Sequence, residues 1–465
     1  MNKEKNFDNG FYTIYFIGIG GIGMSAIARY YHVKGFAVAG YDRSETKLTS
    51  DLQAEGISIT FEEGVASIPP DFRMKEKTLV VITPAVPQEH EQLVYFREHN
   101  FKILKRAEML GEITRQSKAI CIAGTHGKTT TSTITAHLLY QSHVNCSAFL
   151  GGISNNYNTN LLLSNESNYV VVEADEYDRS FHQLTPFMAV IISVDADHLD
   201  IYGTKEAFLE SFEHFTSLIM PGGALVVNKK AELKPKLKKG VKMFTYGLDT
   251  TADFHAKNIR TEKGNILFDF VTPTDTIYDV RLGVPIMINV ENSVAAMAMA
   301  WLNGVTNEEL RTGISTFSGI YRRFNIVFNS EKVVYMDDYA HHPSELKESI
   351  SSIRQLYPER KITGIFQPHL YSRTRDFAPE FAKSLSQLDE VILLPIYPAR
   401  ELPIDGVTSE LILNDVTSIH KELSSKENLL TLLDEKELDV IVTFGAGDID
   451  KLVPEIKNYL KKRFS

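Results

Sequence analysis

The segment Ala123-Gly-Thr-His-Gly-Lys-Thr-Thr-Thr131 holds the residue types that grip a nucleotide phosphate. Gly124 and Gly127 let the backbone curl so that its N–H groups converge on an anion. Lys128 is spaced to reach the outer phosphates, and the Thr129 hydroxyl to touch a magnesium ion. One position departs from the usual phosphate-loop spacing, since Ile122 stands where the first glycine belongs. The sequence predicts an ATP site made from Gly124, Thr125, His126, Gly127, Lys128, Thr129 and Thr130. Two acidic stretches follow. Val171-Val-Glu-Ala-Asp-Glu-Tyr-Asp178 places Glu173 first after an apolar run, where a carboxylate at a strand end would meet a metal. Asp178 reads as a solvated turn acid. Ser193-Val-Asp-Ala-Asp-His-Leu-Asp200 repeats the arrangement with His198 between acids, which points to a second metal position.

Nearer the N-terminus, Gly18-Ile-Gly-Gly-Ile-Gly23 fits G-x-G-x-x-G between an apolar strand and a helix over Met24–Tyr31. Without Cβ atoms the turn closes tightly against a diphosphate, and the helix N-terminus adds N–H donors and positive dipole. Asp42 follows the next strand, Ala37–Tyr41, where an acid would meet a ribose. The fingerprint alone leaves open whether the nucleotide is NAD or another diphosphate. Three further clusters lie toward the C-terminus: Arg322-Arg323, Asp337-Asp-Tyr-Ala-His-His-Pro343 and Gln367-Pro-His-Leu-Tyr-Ser-Arg-Thr-Arg375. Acids, histidines and arginines at strand ends suit anionic ligands and a phosphoryl group in transfer.

The elements that must carry these residues alternate throughout. Short apolar runs predict strands at Tyr12–Ile17, Thr78–Thr83, Ala119–Ala123, Tyr169–Glu173, Ala189–Val194, Ala224–Asn228, Val333–Asp337, Lys361–Phe366, Glu390–Pro395 and Asp439–Phe444. They lack alternation, as parallel strands covered on both faces do. Amphipathic helices are predicted at Lys128–Tyr140, Val290–Trp301 and Ser344–Leu356, with a more β-rich stretch near Phe244–Val280. The fold class is α/β. A length of 465 residues is about three times the ~150-residue norm of one domain.

A net charge of −10 without a basic block argues against nucleic acid or an anionic membrane as partner. Two cysteines, Cys121 and Cys146, make no disulfide framework and suit a reducing cytosol. The first ten residues lack a signal-peptide pattern, and no apolar run reaches the ~18–20 residues of a membrane span. A cytoplasmic protein is the expectation.

In their order, GIGGIGMSAIA, AGTHGKTTT, EADEYD, DADHLD, RRF, DDYAHHPSE, QPHLYSRTRDF, IYPARELPI and GAGDI resemble the motifs of the Mur ligases over essentially the whole chain. These are the ATP-dependent amide-forming enzymes of peptidoglycan synthesis. The resemblance implies a Rossmann-like UDP-sugar domain over residues 1–106, a central P-loop-type ATPase domain over 107–320 and a Rossmann-like C-terminal domain over 321–465. It implies ATP with Mg2+, and UDP-N-acetylmuramate and L-alanine as the other substrates, in a monomer or homodimer. ATP would phosphorylate the lactyl carboxylate, and the amine would attack the acyl phosphate through a tetrahedral intermediate. Gly18, Gly20, Gly21, Ile22 and Gly23 would hold the UDP diphosphate, with Asp42, Thr83 and Arg106 in the same site. Thr129, Glu173 and His198 match the metal ligands. Asn292 would contact adenine, Arg323 the ATP phosphates and Asp338 the ribose. His341, Arg373 and Arg375 would line the amino-acid pocket, and Lys128, His198, His341 and Arg373 would carry the catalysis. Two positions differ from the family pattern: Ile288 replaces a histidine before Asn289, and Leu370 replaces an arginine. Other readings are a family member that attaches a whole tripeptide, a non-catalytic UDP-sugar sensor, and an NAD-dependent oxidoreductase.

Overall fold

The computed structural model describes residues 11–195, 199–262, 265–399 and 401–464. Three sheets organise the chain. The first has the spatial order Ser58–Thr60, Ala37–Tyr41, Thr13–Ile17, Thr78–Ile82, Lys102–Lys105, all parallel. The second runs Thr276–Arg281, Asn265–Val271, Phe254–Glu262, Lys242–Gly247, Ala224–Asn228, Pro186–Ile191, Lys118–Ala123, Tyr169–Ala174, Ser147–Ser154, Thr159–Leu162. Its middle is parallel, and the hairpins at Phe254–Arg281 form the β-rich flank. The third runs Asn325–Asn329, Val334–Asp338, Val440–Phe444, Ile362–Phe366, Glu390–Leu393, His420–Leu423, antiparallel only at its first edge.

The continuous apolar runs have the physical cause expected of them. On the third sheet, Val334, Met336, Ile362, Phe366, Val440 and Val442 pack on one face, while Tyr335, Ile365 and Ile441 pack on the other. A strand covered on both sides has no position left for polar alternation. Strands and helices lie where the sequence placed them, to within a few residues. The largest shift is Pro186–Ile191 against an expected Ala189–Val194. Residues beyond Ile191 leave the sheet because Ile192 and Ser193 turn toward the phosphate loop, where the Ile192 N–H meets the Ala123 carbonyl.

The chain divides into two compact units, one reaching Gly283 and including Asn289–Ser318, the other made of Val284–Ile288 and Gly319–Ser465. The first unit therefore contains two of the three sheets. Asn160, fully buried, ties them together. Its Nδ2 donates to the Ile22 carbonyl and to Ser25 Oγ at 3.0 Å, and its Oδ1 accepts from Arg29 Nη1 at 2.6 Å. Asn160→Ala leaves the Arg29 Nη1 N–H without its partner, while the Ile22 carbonyl keeps its bond from Ser25 Oγ, at a cost of about 1–3 kcal/mol. The expected result is a lowered midpoint for the unfolding transition of this unit, measured by denaturant titration.

Candidate active site

The strand Lys118–Ala123 is buried from Ala119 onward and delivers Gly124–Gly127 to the sheet's C-terminal end. The helix Lys128–Tyr140 then begins on Gly127, whose φ of +78° is left-handed and open to glycine without strain. A Cβ on Gly127 would also lie 2.9 Å from Asn292 Oδ1. Asn292 is buried and accepts from Thr131 Oγ1 at 3.3 Å, so the asparagine expected at adenine is fixed against the phosphate loop. Ser193 anchors the loop's other side, its Oγ accepting from the His126 N–H at 3.0 Å. The Thr125 hydroxyl donates to the Asp195 carbonyl at 2.7 Å.

Lys128 Nζ donates to the Gly124 carbonyl at 2.7 Å, the Thr125 carbonyl at 3.3 Å and Glu176 at 2.8 Å. An ammonium has three N–H bonds, so a nucleotide phosphate must replace at least one of these acceptors. Glu176 is 1% exposed; burial pushes its carboxyl above the usual carboxylate range, and Lys128 offsets only part of that rise. Tyr202 holds it from behind through a hydroxyl bond to the Glu176 carbonyl. Thr129 Oγ1 lies 3.0 and 3.2 Å from the two Glu173 oxygens. Hard oxygen donors at that spacing fit a magnesium ion. Among the described residues no group of three His, Cys, Asp or Glu side chains could hold a metal ion by itself. His198, expected as catalytic residue and metal ligand, lies outside the described residues.

The Gly18–Gly23 loop gathers its expected partners. A Cβ on Gly18 would meet Thr83 Cγ2 at 2.7 Å, and one on Gly23 would meet Arg106 Nη1 at 2.9 Å. Asp42 Oδ2 accepts from the Gly20 N–H at 2.7 Å, which makes it first a brace of the loop. Ile22 starts the helix Ile22–Val33, with Gly21 as its N-cap. Arg106 also pairs with Asp175 at 2.9 Å, linking this loop to the acidic strand end. Asp178 pairs with Lys105 at the surface at 3.1 Å.

In the second unit, the ends of neighbouring strands bring Asp338, Gln367 and Gly445 side by side. Buried Arg322 donates to Asp337 at 3.2 Å and to the carbonyls of Gly445 and Gly447. This clamp fixes the chain at Arg323, whose guanidinium stands 5.5 Å over the Tyr339 ring. Asp338 accepts from the Ala340 N–H at 3.0 Å and Ser349 Oγ at 2.7 Å, and burial pushes its carboxyl up. His341 is held between Tyr339, Glu345 and His369. Burial pushes its imidazole below the usual range; Glu345 opposes this, while Arg373 and Arg323 add to it. Arg373 Nη1 is buried and has no hydrogen-bond partner among the described residues.

Arg375 lies apart from His341 and Arg373. It is exposed and its Nε donates to Asp376 at 2.7 Å. Two residues along a helix is ~200° of rotation, which turns Arg375 away when Arg373 faces inward. Leu370, at φ +72°, ends the preceding loop, its N–H on the Tyr397 carbonyl at 3.0 Å. Glu401 caps the helix Tyr371–Leu385 by accepting from the Ser372 N–H at 2.9 Å.

The sequence did not single out Glu176, Ser193, Gly151, Arg322 with Asp337, or Glu401 for these tasks. Only Gly151 carried a local signal: a Gly151-Gly152 pair inside the strand Ser147–Ser154 marks a close approach. A Cβ at Gly151 would sit 1.9 Å from Glu173 Oε2 and 3.0 Å from Thr129 Oγ1.

Family models match in the same order as the sheets. The model described as Mur ligase family, catalytic domain, matches residues 13–118; the Mur ligase middle domain matches 122–300; and the Mur ligase, glutamate ligase domain, matches 322–447. A UDP-N-acetylmuramate–L-alanine ligase of Phocaeicola vulgatus is 57% identical over 452 residues, which span 97% of this chain and 98% of that one. The protein of that description from Porphyromonas gingivalis W83 is 58% identical over 450 residues, 96% of this chain and 99% of its own. A crystal structure of UDP-N-acetylmuramate–alanine ligase from Thermotoga maritima superposes with a TM-score of 0.82 at 27% identity, covering 97% of this chain and 99% of that one.

Proposed function

The chain belongs to the Mur ligase family, and from that premise we propose that it joins L-alanine to the lactyl carboxylate of UDP-N-acetylmuramate at the expense of ATP, in the synthesis of peptidoglycan precursors. The observation that carries this reading is identity of 57–58% with ligases of that description along nearly the full length of both chains. The chemistry explains the two kinds of site. A carboxylate resists attack because oxide is a prohibitive leaving group, and phosphorylation replaces it with phosphate. Phosphoryl transfer then needs positioning and neutralisation of charge more than covalent help.

In this reading Gly124–Thr130 surround the ATP phosphates, Lys128 exchanges an acceptor of its own loop for phosphate oxygen, and Asn292 takes the adenine. Thr129, Glu173 and His198 would hold the magnesium ion, which when bound supplies positive charge beside the transferring group. Gly18–Gly23 with Thr83 and Arg106 hold the UDP-sugar, and Asp42 keeps that loop in shape. Arg323 is assigned to the ATP phosphates and Asp338 to the ribose, and Arg373 receives the amino-acid carboxylate beside His341. Domain limits near residues 106 and 320, a cytoplasmic location and a monomer or homodimer complete the proposal; light scattering tests the last. Among the described residues no helix is long and apolar enough to cross a membrane.

The test is ADP release from ATP with UDP-N-acetylmuramate and magnesium, with and without L-alanine, and with glycine and L-serine as competitors. Turnover that depends on L-alanine is expected, with glycine and serine weaker. Turnover only with a free tripeptide would move the protein to another branch of the family. No amine-dependent turnover would end the ligase reading.

A further inference from the structure

An amino acid arrives as an ammonium ion, with no lone pair on nitrogen, so a ligase that uses it needs a proton acceptor near the amine. His341 has the geometry for that task. Its Nδ1 lies 3.0 Å from the Tyr339 carbonyl and 3.2 Å from Glu345 Oε2. Both neighbours are acceptors, so Nδ1 carries the hydrogen and the neutral ring keeps its lone pair on Nε2. Glu345 is held ionised: burial pushes its carboxyl up, but His341 and the N–H groups of His341 and His342, at 3.0 and 3.3 Å, bring it below the usual range. No hydrogen bond to His341 Nε2 forms among the described residues, and the side chain is 21% exposed.

The charged neighbours come from four elements. Glu345 is on the helix Pro343–Leu356 and Arg373 on the helix Tyr371–Leu385. Arg323 precedes the strand Asn325–Asn329, and the His369 ring stands 5.9 Å away after Ile362–Phe366. The phenol of Tyr339 borders the ring edge-on at 5.2 Å. Burial, Arg373 and Arg323 outweigh Glu345 and favour the neutral imidazole, the form a base needs. Beside it, Arg373 offers a guanidinium nitrogen that has no hydrogen-bond partner among the described residues. One unused acceptor and one unused donor at the same strand ends match the two charges of an α-amino acid.

We infer that His341 is the general base of the reaction, taking a proton from the incoming α-ammonium at Nε2 while Arg373 holds the α-carboxylate. The inference rests on the ligase reading above and specifies a residue for its proton step. The ammonium gives one proton to Nε2, leaving a neutral amine and an imidazolium. The amine lone pair forms the C–N bond at the acyl phosphate carbon, and the C=O electrons move to oxygen. When the C=O reforms, the C–O bond to phosphate breaks and phosphate leaves with that electron pair. The remaining extra proton on nitrogen goes to the departing phosphate, and the imidazolium returns its own to water.

The experiment is the pH profile of kcat at saturating L-alanine for the intact protein and for His341→Gln and Glu345→Gln. The wild-type kcat should fall on an acid limb and reach a plateau above it. His341→Gln should lose ~10²–10³-fold at neutral pH, and its kcat should rise tenfold per pH unit with no plateau, following the free-amine fraction. Glu345→Gln keeps a helix-capping side chain but removes the charge that raises the imidazole pKa. Its acid limb should move to lower pH by about one unit. A His341→Gln protein with the wild-type plateau and only a raised KM for alanine would overturn the inference, since that pattern belongs to a binding contact. An unmoved acid limb in Glu345→Gln would overturn it as well, and this variant carries the test alone if His341→Gln does not fold. A wild-type protein without alanine-dependent ADP release would instead remove the ligase reading on which the step depends.

Discussion

Lys128→Ala is expected to abolish ligation and to destabilise the first unit by about 3–5 kcal/mol, the usual cost of breaking a buried ion pair from one side. The Lys128 side chain is 15% exposed and that of Glu176 is 2%, so solvent offers the abandoned carboxylate little compensation. The activity is lost for a separate reason. Without Nζ, no charged donor in this loop meets the phosphoryl group as its charge redistributes, and one such donor contributes ~10²–10³-fold or more in rate. A second substitution separates the two effects. Lys128→Ala with Glu176→Gln removes the orphaned charge and should recover most of the stability while leaving ADP release at the level of the single variant. Unfolding midpoints and ADP release measure the two quantities on the same samples. A stable, fully active Lys128→Ala protein would refute the role given to the loop.

Gly151→Ala should produce the opposite combination, a folded protein with a damaged site. The new methyl would occupy the place of Glu173 Oε2, at 1.9 Å, and the carboxylate can escape only by rotating away from Thr129. A flexible side-chain end yields at little cost to stability. Misplacement of a ligand by ~1 Å costs on the order of 10²-fold in rate, so kcat/KM for magnesium–ATP should fall about that much. The thermal midpoint should stay within a few degrees of the parent. A large fall in stability, or an unchanged response to magnesium–ATP, would show that Glu173 does not serve the metal from its present position.

The site was partly legible because phosphate binding is a local property. A strand, a glycine turn and a helix start lie within about twenty residues of one another, and their order fixes where backbone N–H groups point. Hence Gly124–Thr130 and Gly18–Gly23 could be read directly, and both lie at strand ends in the structure. Long-range acceptors are different. Nothing near Glu176 in the chain distinguishes it from Asp175 or Asp178, yet one pairs with Lys128, one with Arg106 and one with Lys105 at the surface. The resemblance put Arg373 and Arg375 in one pocket, but helix rotation sends them to different sides.

The sequence by itself determined the α/β class, the strands and helices that flank each motif, and the chemistry of the two glycine loops. Those features depend on hydrophobic periodicity and on contacts only a few residues apart. Tertiary structure decided which side chains face one another: Lys128 with Glu176, Gly151 with Glu173, Arg322 with Asp337, and His341 with Glu345 and Arg373. It also decided that Asn160 joins the first two sheets into one unit. Burial, which sets whether a carboxylate is a solvated turn residue or a partner that a phosphate must displace, is a property of the folded chain and has no local code.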